Sequence, residues 1–296
     1  MGEMTPVATV DDVTIHCPSE GRYAFYNSPY PAHRLSTGID LYPQAEFGGS
    51  APSPVEGEVI LIRKVRAPRG RLFRDHGHDV VTLLRSRENL GRVVKVLHVE
   101  PTVEVGEELE PGSELGTLIR SGYYGFGTPP HLHLEVRMPS DPLRARGGCH
   151  LRRILDVVNL KLLDELRGEV IESGPYRSYV RIHGASRHGL VADVGGVPGV
   201  LDGGIPNYGW VGAHFGSERP EGRLIRLCGR SVAEIEALHE HTCTAVCTDF
   251  TISLDGNPVG LFMYLYPEAE PRVILVPRTP GALMLRESDE IELRII

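Results

Sequence analysis

The sequence predicts a mainly β protein, an antiparallel β-sheet core followed by a helical connection and a second mainly β domain. Three observations carry that prediction. The 34 glycines and 23 prolines cut the chain into short runs rich in Val, Ile and Leu, which is the punctuation of strands and tight turns. Several of those runs alternate apolar and polar residues, as in Tyr179-Val-Arg-Ile-His183 and Glu290-Ile-Glu-Leu-Arg-Ile-Ile296. A length of 296 residues, set against roughly 150 per domain, calls for two domains. The boundaries are read at 1–148, 149–170 for the helical connection, and 171–296.

Taken in order, Ser53 to Arg63 reads as a turn feeding a strand, and Asp79 to Leu84 and Val93 to Val99 read as two more. Val103, Leu109 and Leu115 then recur with Gly106 and Gly112 between them, the spacing of very short strands around a small barrel or sandwich. Between Leu151 and Leu166 the residues Leu151, Ile154, Leu155, Val158, Leu162 and Leu166 follow helical spacing, with Gly168 placed to end the helix. Phe250 to Leu254 is a further strand. Ser231-Val-Ala-Glu234 has the form of a capping box before Ile235 and Leu238, which predicts a helix inside the second domain.

Composition narrows the function. The 31 Lys and Arg against 39 Asp and Glu give a net charge of −8 with no basic run, so nucleic acid is not an expected partner. No apolar run reaches membrane-spanning length, and the first residues lack the basic and apolar regions of a secretory signal, so a cytoplasmic location is expected. Five scattered cysteines fit reduced thiols better than a disulfide framework.

The most informative segment is His131-Leu132-His133-Leu134-Glu135. On a strand, imidazoles at i and i+2 project from one face while the leucines pack behind. A catalytic zinc takes three protein ligands and leaves a position for water, so a second donor pair is needed, and His33 to Asp40 offers one. His98, in the strand-like Val93 to Val99 run, cannot be aimed without its register.

With these residues assembled, the chain resembles the lysostaphin-like zinc endopeptidases, whose fold is a duplicated hybrid motif, over most of residues 31–146. Gly38-Ile39-Asp40-Leu41 resembles the family's first metal motif, Ala51 to Val59 its following turn and strand, and Leu97-His98-Val99 its central histidine motif. Gly127-Thr-Pro-Pro-His131-Leu-His133-Leu-Glu135-Val-Arg137 resembles its terminal His-x-His strand, and Asp141-Pro142-Leu143 follows. The resemblance implies a zinc-dependent hydrolase of a peptide or amide bond. It makes Asp40 and His133 ligands of one zinc ion, and His98 and His131 unligated histidines that position water and stabilise an oxyanion. The family's remaining histidine lies four residues before the aspartate, where this chain has Ser36, while His33 lies three residues further upstream. Either an insertion lets His33 occupy the usual place, which is the favoured reading, or a ligand is lost at Ser36 and the protein is a non-catalytic binding or scaffold relative.

Other candidates carry less. The same duplicated motif occurs in glucose-type phosphocarriers and, more distantly, biotinyl carriers. Asp40 is superfluous to the first, and the turn around Gly112 lacks the lysine of the second. His239, His241, Cys243 and Cys247 have metal-ligand chemistry, and a helix would align three of them, but free cysteines are commonly small core residues. His76 and His78 read as solvated turn residues, His183 and His214 have no evident partner, and the loop from Asp202 to Trp210 either borders a cleft or caps a core.

Overall fold

The computed structural model describes residues 2–296. The chain divides into two compact units, one comprising the residues up to Phe25 together with Tyr30–Leu155, the other Tyr26–Pro29 together with Asp156–Ile296. Both are antiparallel β structures, and the only α-helix among the described residues is a single turn.

The first unit runs β1 (Met4–Val10), β2 (Val13–Pro18), β3 (Arg22–Ala24), α1 (Pro31–Arg34), β4 (Ile39–Tyr42), β5 (Ser50–Pro52) and β6 (Gly57–Arg66). It continues with β7 (His78–Ser86), β8 (Val93–Leu97), β9 (Val99–Pro101), β10 (Glu108–Leu109), β11 (Glu114–Leu118), β12 (Leu132–Arg137) and β13 (Arg152–Arg153). Seven strands form one sheet in the order β10-β6-β7-β8-β12-β4-β3, and the rest form two three-stranded sheets, β13-β1-β2 and β5-β11-β9. Strand β12 lies between β4 and β8, and all six of its residues are buried. Leu132, Leu134 and Val136 fill the apolar core on one face. The alternate residues His133, Glu135 and Arg137 are equally buried on the other, where Asp40 of β4 stands opposite His133 and Lys95 of β8 opposite Glu135. A face of charged and imidazole groups withdrawn from water is stable only when its members satisfy one another or an ion.

The second unit runs β14 (Leu166–Ser173), β15 (Ser178–Ile182), β16 (Val191–Val194), β17 (Val197–Ile205), β18 (Trp210–Phe215) and β19 (Leu224–Leu227). The remaining strands are β20 (Arg230–Leu238), β21 (Thr242–Cys247), β22 (Ile252–Leu254), β23 (Asn257–Met263), β24 (Val273–Pro277) and β25 (Glu290–Ile295). Two closed rings of six strands result. One is β16-β17-β18-β21-β20-β19, returning to β16. The other is β14-β15-β24-β23-β22-β25, returning to β14. Strand β17 belongs to the first ring through Val197 to Asp202 and pairs with β23 through Gly203 to Ile205. Val170, Val180, Leu201, Ala213, Leu261 and Leu275 lie in its common apolar core.

Both helices expected from sequence are absent. Most of the 151–166 stretch is irregular: its regular residues are those of β13, paired through Arg152 and Arg153 with Thr9 and Ala8, and Leu166, which begins β14. Ile154, Val158 and Leu162 are 38%, 45% and 46% exposed, so the helical spacing describes no buried stripe. Gly168 ends nothing: it lies inside β14, where a Cβ would collide with the Arg181 carbonyl of β15. Ser231 to Leu238 is part of β20, with Ala233 and Ile235 inward and Glu234 and Glu236 outward, a period of two that overrides the local capping signal.

Candidate metal centre

His33, Asp40 and His133 reach one point from three elements. Pro31 starts α1 with its φ already helical, and the Ala32 carbonyl then accepts from both Thr37 and Gly38, at 2.8 and 3.1 Å, closing the chain back on itself. That single turn takes up the residues between His33 and Asp40. Ser36 lies in the connection to β4 at φ 54°, its N–H donating to the His33 carbonyl at 3.0 Å. Gly38 admits the closure because a Cβ there would stand 2.9 Å from His133 Cε1 and 3.0 Å from Ala32 Cβ.

Three acceptor atoms converge. His33 Nε2 lies 3.0 Å from His133 Nδ1 and 3.3 Å from Asp40 Oδ1, and His133 Nδ1 lies 2.8 Å from that same oxygen. His33 Nδ1–H donates to the Phe25 carbonyl at 2.8 Å, which assigns the lone pair to Nε2, toward the other two. On His133 the opposite nitrogen, Nε2, faces Glu135 Oε1 at 3.4 Å, leaving Nδ1 inward. Among the described residues this trio is the one His/Cys/Asp/Glu group whose ligand atoms all lie within 4.8 Å of one another. Lone pairs packed this closely need a shared proton or a cation between them. Ligand atoms about 2.0–2.1 Å from a tetrahedral zinc stand roughly 3.3 Å apart, so the donor set and its spacing fit that ion, with two neutral imidazoles and one carboxylate.

The electrostatics agree. Burial alone would push the Asp40 carboxyl up, but His33 and His131 beside it and the bond from His133 hold it well below the usual range. Burial pushes His133 down, yet its bonds to Asp40 and Glu135 prevail and lift it to about 9. Without a cation between them His133 keeps a proton at neutral pH, and a bound cation would displace it. Glu135 is itself held at about 2, because the bonds and charges of His133 and Lys95 outweigh its burial. Its Oε1 lies 2.5 Å from Lys95 Nζ and its Oε2 2.6 Å from Arg137.

His131 and His98 border the trio. His131 Nδ1–H donates to the Pro129 carbonyl at 3.0 Å and its Nε2 lies 3.6 Å from Asp40 Oδ2; burial holds its pKa down at about 4, so it is neutral at pH 7. The His98 ring centroid is 5.2 Å from that of His131 and 6.2 Å from that of His133. His98 occupies the break between β8 and β9 with φ 72°, a left-handed conformation uncommon outside glycine. Sequence reasoning passed over Tyr124, which is buried, stacks on His131 at 4.6 Å, meets His98 edge-on at 4.8 Å and donates its hydroxyl to the His131 carbonyl. It also passed over Asp79, read only as the start of a strand. A lone Asp or Tyr carries no spacing signal.

The remaining candidates lie elsewhere. His78 Nε2 is 2.6 Å from Glu100 at the start of β7, and His76 is exposed beside Arg120. His183 pairs with Glu290 at 2.8 Å, and His214 with Asp202 at 3.1 Å inside the second unit, where Asp202 also accepts from the Tyr26 N–H. The helix that would have aligned His239, Cys243 and Cys247 is replaced by the β20–β21 hairpin. Cys243 points into the core, and burial pushes the Cys243 and Cys247 thiols up to about 12 and about 11. Among the described residues no helix is long and apolar enough to cross a membrane.

Comparison with known proteins adds the following. Residues 12–153 match the N-terminal domain of a family described as a domain of unknown function (DUF8155). No curated protein matches the chain. Among solved structures, a mutant catalytic domain of the prophage-encoded M23 protein EnpA from Enterococcus faecalis is similar at 23% identity and TM-score 0.25, over 38% of this chain and 72% of that one. The catalytic domain of the antimicrobial peptidase lysostaphin from Staphylococcus simulans is similar at 19% identity and TM-score 0.28, over 41% of this chain and 83% of that one. Whole lysostaphin gives 12% identity and TM-score 0.29 over 92% and 95%. Likeness at this level says nothing of chemistry, which rests on the atoms of the site.

Proposed function

We propose that this chain is a zinc-dependent hydrolase of a peptide or amide bond, with His33, Asp40 and His133 as the ligands. One observation carries the proposal: two imidazole nitrogens and a carboxylate oxygen, each tied on its far side, converge to within 3.3 Å in a buried site that two further histidines flank. A zinc ion held there would supply a Lewis acid and lower the pKa of a water toward 7. The chain's own groups manage the proton. His131 is held neutral with Nδ1–H on a carbonyl, so its Nε2 accepts from a water and orients it. His98, with Nδ1 engaged by Asp79, offers Nε2 as the nitrogen that takes a proton and returns it to the leaving amine. The choice of a peptide or amide rests on the sequence resemblance.

The test is elemental mass spectrometry on the purified full chain. About one zinc per chain is expected, with none in His33→Ala, Asp40→Ala or His133→Ala. His131→Ala should keep its zinc and lose cleavage of quenched fluorogenic peptides by ~10²–10⁴-fold. A folded wild-type chain that stays metal-free after incubation with zinc would overturn the proposal in favour of a binding protein, and full occupancy in Ser36→Ala with loss in His33→Ala would separate the two ligand assignments.

A further inference from the structure

The two histidines beside the trio are backed by different groups. His131 leans on a neutral carbonyl. His98 leans on Asp79, a fully buried carboxylate on β7, whose Oδ2 lies 2.6 Å from His98 Nδ1 while Oδ1 accepts the backbone N–H of the same histidine at 2.9 Å. Oδ1 also takes the Val80 N–H at 2.8 Å, and the Ser121 side chain bonds the carboxylate too. One carboxylate thus grips His98 at both backbone and ring, in a residue whose left-handed φ of 72° persists only where surroundings impose it.

We infer that Asp79 is a positioning residue for His98. It fixes the Nδ1–H tautomer, leaves Nε2 as the basic nitrogen, and stabilises the imidazolium formed when Nε2 takes a proton. The inference rests on the hydrolytic reading for its chemistry, but not for its geometry. In the step it serves, a water O–H bond breaks as the Nε2–H bond of His98 forms, and the water oxygen bonds to the substrate carbonyl carbon. The proton then passes from Nε2 to the amide nitrogen as the C–N bond breaks, returning His98 to neutral. The positive charge exists only between these events, beside the buried carboxylate. Burial favours a neutral Asp79, but the charge and bonds of His98 hold its carboxyl at about 2, so the negative charge is in place throughout the neutral range. His131, with a carbonyl in that role, has no such counter-charge on Nδ1 and stays the water-orienting group. The division of labour between two histidines of the same motif set is thereby written in what stands behind each ring.

Ring ¹⁵N NMR of the full chain, with labelled histidine and with zinc added, tests this directly. The His98 signals, assigned by their loss in His98→Ala, should show a protonated Nδ1 and a bare Nε2 in wild type. They should collapse toward a tautomer mixture in Asp79→Ala. Asp79→Asn, close in volume, should keep one zinc and its dispersed spectrum, while kcat on a cleaved peptide falls ~10²–10⁴-fold with KM changed by less than a few-fold. Wild-type His98 protonated on Nε2, or Asp79→Asn with undiminished kcat, would overturn the inference. A wild-type chain that shows the Nδ1–H tautomer but takes up no zinc would sink the hydrolytic reading and leave the positioning role standing.

Discussion

At the scale of residues, the buried polar face of β12 makes the sharpest predictions. Glu135 compensates Lys95 and shares Arg137 with Asp141, so Glu135→Ala leaves the buried Lys95 without its carboxylate and should cost ~3–5 kcal/mol in urea unfolding. Replacing Lys95, Glu135 and Arg137 together by apolar residues should cost far less. Gly38→Ala pushes a methyl against His133 Cε1 and Ala32, and should lose ~1–3 kcal/mol and weaken zinc binding measured by chelator competition. Asp79 carries a pH signature. Its folded pKa of about 2 lies below ~3.9 for an unfolded aspartate, so the folded state binds fewer protons and the carboxylate stabilises above the unfolded value. That contribution, ~2–3 kcal/mol, should fade as pH falls from about 4 through 2, and Asp79→Asn should lack this part of the slope in urea titrations. The His-x-His pair stood out in the sequence because its spacing has a geometric meaning on a strand, whereas His33 and Asp40 were singled out as a neighbouring donor pair and through the family resemblance. Asp79 and Tyr124 were not, because they enter through long-range pairing that no local window records.

At the scale of elements, several apolar or alternating runs bounded by turn residues were read correctly as strands. The runs Asp79 to Leu84, Tyr179 to His183 and Glu290 to Ile296 all overlap strands of the structure, β7, β15 and β25. The Val93 to Val99 run breaks at His98 into β8 and β9, and that break creates the site's geometry. Helical spacing misled at 151–166, where residues recur at the right interval without one face being buried, and at Ser231, where a short capping motif sat inside an alternating strand. Sheet pairing decides both, and it depends on partners far along the chain. The Ser36 question shows the same limit. Counting residues from the aspartate cannot reveal that one helical turn folds His33 back into reach. Lengthening that turn by one alanine after Arg34 should rotate His33 away and abolish zinc uptake, read by elemental analysis, while leaving β4 and β12 paired.

At the scale of the whole molecule, two units with separate cores predict two calorimetric transitions rather than one. Zinc should raise the transition that Leu134→Ala lowers and leave untouched the one that Leu261→Ala lowers, each substitution costing ~2–5 kcal/mol. The rings of the second unit carry a consequence for synthesis. Strands β16 to β21 are contiguous in the chain, so their ring can close as soon as Cys247 has left the ribosome. The second ring cannot. Its first strands, β14 and β15, are made before that insertion, and β14 must wait for β25 to pair its second edge. At ~5–20 residues per second the nascent chain spends several seconds with an open edge on β14, a template for joining other chains. Translation halted at Ser288 would leave β14 and β22 open for good, and such a chain should be recovered in aggregates rather than as a slightly shorter protein.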